Sequence, residues 1–139
     1  MPDSKVSPTE LESLFVDESG EEAIDTVLRT VLEQFVGFTR DGKIVTKQRF
    51  LKLSDPTKIL VALLARRAMV RLNIPGAKQE AGADQLGAEC LVPLKSCREH
   101  LSRHKARRLL EKNVAGYFIP IWAVPDAAAA VLKKPQTQA

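Results

Sequence analysis

The sequence predicts a mainly α fold with a small β component, and three observations lead there. Apolar positions recur at intervals of three and four over residues 21–36 and again over 59–72, the period of helices with a covered face. Strand character is confined to short runs near Phe38 and Ile44-Val45 and over residues 114–124. The 139 residues are enough for one compact core with an appended arm and too few for two substantial domains. With 45% apolar and 27% charged residues the composition is that of a globular chain, which argues against wholesale disorder.

Taken in order, residues 1–8 are small, polar and proline-containing, and Thr9 with Glu12 forms a capping-box pattern for a short helix through Phe15. Ile24, Val27, Leu28, Val31, Leu32 and Phe35 then mark an amphipathic helix with acids at its start. Arg40-Asp41-Gly42-Lys43 predicts a short hairpin built on a two-residue Asp-Gly turn. Ser54-Asp55-Pro56 offers a cap and a first-turn proline for a long core helix through Leu72, which Asn73-Ile74-Pro75-Gly76 ends. After a polar connection, Asp84 caps a short helix to Cys90, Leu91-Val92-Pro93 ends it, and a basic helix runs from Leu94 to Lys112 with Asn113 as a left-handed cap. Leu94, Cys97 and Leu101 share a face that Ala106, Leu109 and Leu110 do not, so a break near His104 is the alternative. Residues 114–124 form one strand with proline at its edge, and Pro125-Asp126 opens an alanine-rich helix to Leu132. The expected division is an acidic helical extension over 1–36, a domain over 37–132 and a flexible tail over 133–139.

Charge is distributed unevenly. Residues 1–36 carry nine acids against Lys5 and Arg29, residues 37–78 carry ten bases against Asp41 and Asp55, and residues 95–112 carry seven bases against Glu99 and Glu111. Two readings of the first basic stretch stay open. Arg40, Lys43, Lys47, Arg49, Lys52, Lys58, Arg66, Arg67 and Arg71 form a phosphate-contacting surface, or they pair with the acidic arm within or between chains.

The order from Leu53 onward is long helix, connection, short helix, tight turn, basic helix, strand and terminal helix. With the Leu53-Ser54-Asp55-Pro56-Thr57-Lys58-Ile59-Leu60 entry, Asp84-Gln85-Leu86 through Pro93, the helix from Lys95 and Gly116-Tyr117-Phe118-Ile119-Pro120, it resembles the winged-helix branch of the helix-turn-helix group over a little more than half the chain. The resemblance implies a winged-helix-like domain with an N-terminal helical extension. It also implies duplex DNA as partner, with the second helix of the pair in a groove and other cations on phosphates. The DNA-binding set it implies is Lys95, Ser96, Arg98, Arg103, Lys105, Arg107, Arg108 and Lys112, with Glu99 on the same helix. The expected role is transcriptional regulator or architectural factor. The apolar stripe of the 21–36 helix would make a homodimer. The alternative is a protein-interaction module of the same fold, docking a protein partner through the acidic arm or the 117–124 strand.

Cys90, Cys97, His100 and His104 are the chain's only cysteines and histidines, and they cluster within fifteen residues. They are zinc-type donors, but the spacing departs from finger patterns, so the expectation is no metal and no cofactor, with buried cysteines and surface histidines. Tyr117, Phe118 and Trp122 are read as packing groups in preference to base-stacking ones. No phosphate loop, His-Glu-x-x-His helix or nucleophile elbow is present, so no enzyme is expected. With no long apolar run and no secretory leader, the expected address is the cytoplasm, away from any membrane.

Overall fold

A computed structural model describes residues 19–133, and the side chains from residue 23 onward. The helix expected near Thr9 and the tail from 134 lie outside the described residues. Among those described there are six α-helices and two two-stranded antiparallel sheets, so the fold is mainly α with a small β component.

Helix α1 (Ser19–Leu32) buries the face carrying Ile24, Leu28, Val31 and Leu32. Two other helices of the same chain cover that face: α3 (Asp55–Arg71) and α6 (Val124–Lys133). The stripe expected to seek a second copy therefore has its partner within the chain, and α1 belongs to one continuous core. Strands β1 (Val36–Phe38) and β2 (Ile44–Thr46) follow, in register Val36↔Thr46 and Phe38↔Ile44. The turn between them differs from the expected two-residue form. Thr39 N–H reaches the Lys43 carbonyl at 2.9 Å, and Gly42, with φ 92°, takes the left-handed place that closes a three-residue loop.

After the single turn of α2 (Gln48–Leu51), α3 occupies the centre. Every residue from Thr57 to Met69 is buried, so the helix is covered on all sides, surrounded by α1, α6 and the two helices α4 (Ala83–Cys90) and α5 (Leu94–Ala106). Ser54 opens it, its hydroxyl 2.9 Å from that of Thr57, with Pro56 in the first turn, where a missing N–H costs nothing.

Three helices end in the same way. Asn73, Leu91 and Arg108 have φ of 57°, 58° and 65°. The N–H of the next residue returns to the carbonyl five back: Ile74 to Met69 at 3.1 Å, Val92 to Gly87 at 2.9 Å and Leu109 to His104 at 3.0 Å. This motif corrects the expected extent of the basic helix. The chain leaves α5 after Ala106, and Arg108, not Asn113, is the left-handed residue.

Residues 107–118 are therefore not the end of a helix followed by one long strand. They hold a hairpin of β3 (Glu111–Asn113) and β4 (Gly116–Phe118), in register Lys112↔Tyr117. Ala81 in the connection bridges to Tyr117, with N–H···O distances of 3.0 and 2.8 Å, so β4 is bonded on both sides. A 3-10 turn (Ile121–Ala123) leads into α6, which buries Val124, Ala127, Ala128 and Val131. No helix among the described residues is long and apolar enough to cross a membrane.

Candidate nucleic-acid interface

The positions of the side chains on α5 follow from which ones the core takes. Cys97, Leu101 and His104 are buried, and at about 100° per residue Lys95, Glu99, Ser102 and Ala106 face directly away from them. Arg98 and Lys105 then lie along one flank, with Ser96, Arg103 and Arg107 along the other. Lys95, Arg98, Arg103, Lys105, Arg107, Arg108 and Lys112 are all exposed and Ser96 is half-buried. None of the seven cations pairs with a carboxylate among the described residues. Lys112 lies on β3 with Nζ 5.4 Å from the centre of the Tyr117 ring. The helix thus presents cations along both flanks, the hairpin adds the single Lys112 beside Glu111, and Arg108 stands at the bend between them.

Arg103 and Arg107, with His100, border a small cavity of about 130 Å³ against Pro56 and Thr57 in the first turn of α3. Asp55 in the same turn of α3 supplies a carboxylate against the partial positive charge of the helix start. His104 ties the two helices together. Its Nε2 is 2.9 Å from the Pro56 carbonyl, and because a carbonyl only accepts, Nε2 carries the proton.

The other basic stretch behaves differently. Arg66 makes a two-pronged contact with Glu89, with Nη1···Oε1 at 3.0 Å. Arg67 donates Nε and Nη2 to the Ile119 carbonyl at 3.1 and 2.9 Å, and Nη2 also to Gln79. Arg71 pairs with Asp25 of α1, and Lys47 Nζ donates to the Glu33 carbonyl at 2.6 Å. Lys58, Arg66 and Arg67 are buried. Within 58–71 the phosphate-surface reading is therefore corrected: Lys58, Arg66 and Arg67 are inside the protein and Arg71 is engaged by the acidic arm. Arg40, Lys43, Arg49 and Lys52 remain exposed.

Sequence reasoning missed the residues that hold the hairpin in place. Asn113 Oδ1 accepts from the N–H groups of Ala115 and Gly116 at 2.8 and 3.2 Å, fixing the Val114-Ala115 turn. Its Nδ2 donates to Glu80 at 3.0 Å, and the Gln79 side chain donates to the same oxygen at 3.0 Å. A chain of hydrogen bonds thus runs from Arg67 on α3 through Gln79 and Glu80 to the hairpin. The bonds from Asn113 and then Gln79 hold the Glu80 carboxyl below its ordinary pKa, and burial lowers that of Arg67. Gly116, with φ 140°, lies so close to the connection that a Cβ there would come within 2.7 Å of the Ala81 backbone. The only advance signal was Asn113 ahead of a glycine, a pattern shared by many turns.

Of the four zinc-type donors, Cys90 and Cys97 are buried in the core. Burial, followed by the charge of Glu89, pushes the Cys90 thiol up to about 12, and burial also raises Cys97. Both are held as neutral thiols, whereas a zinc ligand must be a thiolate. Among the described residues no three His, Cys, Asp or Glu side chains group in a way that could hold a metal ion. His104, expected at the surface, is buried, and His100 is half-buried. Tyr117 packs against the core and Trp122 is 56% exposed. Comparison with family models, curated proteins and solved structures found no match for this chain.

Proposed function

We propose that the chain is a DNA-binding protein, a transcriptional regulator or architectural factor, that sets α5 in a groove of duplex DNA and rests the β3–β4 hairpin on the adjoining backbone. The observation that carries this reading is the set of seven exposed cations without acid partners among the described residues: Lys95, Arg98, Arg103 and Lys105 on the second of two helices joined by a tight turn, Arg107 and Arg108 just after it, and Lys112 on the hairpin. The order α3, Ala81 bridge, α4, α5, β3 and β4 supports the winged-helix resemblance. Arginine on the flanks of a groove-bound helix reaches guanine edges or phosphates, and lysine reaches phosphates.

The test is fluorescence anisotropy of the purified protein with random-sequence duplex DNA. If roughly four phosphates are met, affinity falls about a hundredfold between about 50 and 200 mM salt. Absence of binding at the lower salt overturns the reading. The rival reading, a protein-docking module, is favoured by half-exposed Trp122, a residue type enriched at interfaces. A co-purifying protein partner without duplex affinity is its expected signature.

A further inference from the structure

A cleft with a volume of about 890 Å³ lies away from α5, between the first hairpin, α3, α4 and the 75–80 connection. Small-molecule sites typically measure about 300–1,000 Å³, with an apolar lining and a few placed polar groups. Val36, Ile44, Phe50 and Met69 supply the apolar lining here. One end is closed by the hairpin tip, since a Cβ on Gly42 would come within 3.3 Å of Ile74 and 3.6 Å of the Pro75 carbonyl.

The polar groups around the cleft differ in how far their bonding capacity is already used. Glu89 is gripped by Arg66, Glu80 accepts from Asn113 and Gln79, and Asp41 accepts from the Thr39 hydroxyl. Lys43 and Lys78 also line the cleft, are exposed, and have no carboxylate partner among the described residues. The charged donors available to an incoming molecule are therefore the two ammonium groups, with the Thr46 hydroxyl and the Gln85 amide as neutral donors beside the apolar floor.

We infer that this cleft binds a small organic anion: a flat apolar or aromatic body on the Val36, Ile44, Phe50 and Met69 floor, with its anionic group between Lys43 and Lys78. The site is independent of the DNA reading and stands or falls without it. Glu80 belongs both to the cleft wall and to the anchor of the β3–β4 hairpin.

The test uses two fluorescent probes on the full chain. One is 8-anilinonaphthalene-1-sulfonate; the other is N-phenyl-1-naphthylamine, the same ring system without the sulfonate. The sulfonate probe is expected to bind saturably, about fivefold tighter than the neutral one, and to weaken about fivefold in the Lys43→Ala/Lys78→Ala double variant. Thr46→Trp, at an exposed β2 position lining the cleft, is expected to displace it by filling the space, with the melting temperature as a control for folding. Equal binding of the two probes, no saturable binding of the sulfonate, or sulfonate binding unchanged in either variant would overturn the proposal.

Discussion

The two basic stretches of this chain look alike in sequence and have opposite fates in the structure. In residues 58–71 the cations are built into the protein: Arg66 is tied to Glu89, Arg67 to the Ile119 carbonyl and Gln79, and Arg71 to Asp25. In residues 95–112 the cations stand in solvent, and none forms a salt bridge among the described residues, although Glu99 and Glu111 lie in the same stretch. The cause is the helix that carries each set. Helix α3 is covered on all sides, so its arginines must find partners or pay the full cost of burying charge, whereas α5 is covered on one face only. A count of positive charge along a chain therefore says little about which charges a polyanion can reach.

Removing Arg67 should sharpen this contrast most. Arg67→Met leaves the Ile119 carbonyl and Gln79 without their donor, and is expected to lower stability by about 3 kcal/mol in urea unfolding. Arg103→Ala should leave the urea midpoint unchanged while weakening duplex binding. If both variants lose the same stability, the distinction between the two stretches fails. Next in size, Gly116→Ala combines a φ of 140° with a contact to the Ala81 backbone, and is expected to cost about 2 kcal/mol and to loosen the β3–β4 hairpin. Hydrogen exchange at the Tyr117 amide, which bonds to Ala81, reads that loosening directly.

The Arg66–Glu89 pair is smaller because the Glu89 side chain keeps 36% of its surface in water. A double-mutant cycle on Arg66→Ala and Glu89→Ala should give a coupling of about 1 kcal/mol. A coupling near zero would mean the contact contributes nothing to stability. Smallest is the Asp25–Arg71 contact at the surface. The hydrogen bond from Arg71 holds the Asp25 carboxyl below its ordinary value of 3.8, so its contribution is present above that pH and is lost as pH falls through the lower, folded value. Asp25→Asn should flatten stability below pH 3.8 and change its pH dependence little above it.

How far the sequence could be read depended on whether the local chemistry was distinctive. Pro56 after Ser54, with an apolar run behind it, announced α3 because few other structures use that combination. The end of α5 carried no such mark. Its left-handed residue is Arg108 where a glycine would have signalled the stop, and only the drift of the apolar face near His104 hinted at a break. The second hairpin was hidden for a related reason: β3 is Glu-Lys-Asn, fully exposed and poor in strand formers, and is held by the Asn113 turn and the Ala81 bridge. The cationic face of the candidate site was legible as residue types. The separation of available from engaged arginines was not, because it depends on contacts between residues such as Arg67 and Ile119 that lie far apart in the chain.

In the proposed DNA-binding reading, the cations of 95–112, and not those of 58–71, are the ones that meet a nucleic acid. The salt dependence of duplex affinity tests it most directly, comparing the parent chain with the Arg98→Ala/Arg103→Ala/Arg107→Ala variant. The account predicts a weaker variant whose log–log slope is shallower by about 0.9 for each phosphate contact removed. A variant with the parent's affinity and slope would contradict it.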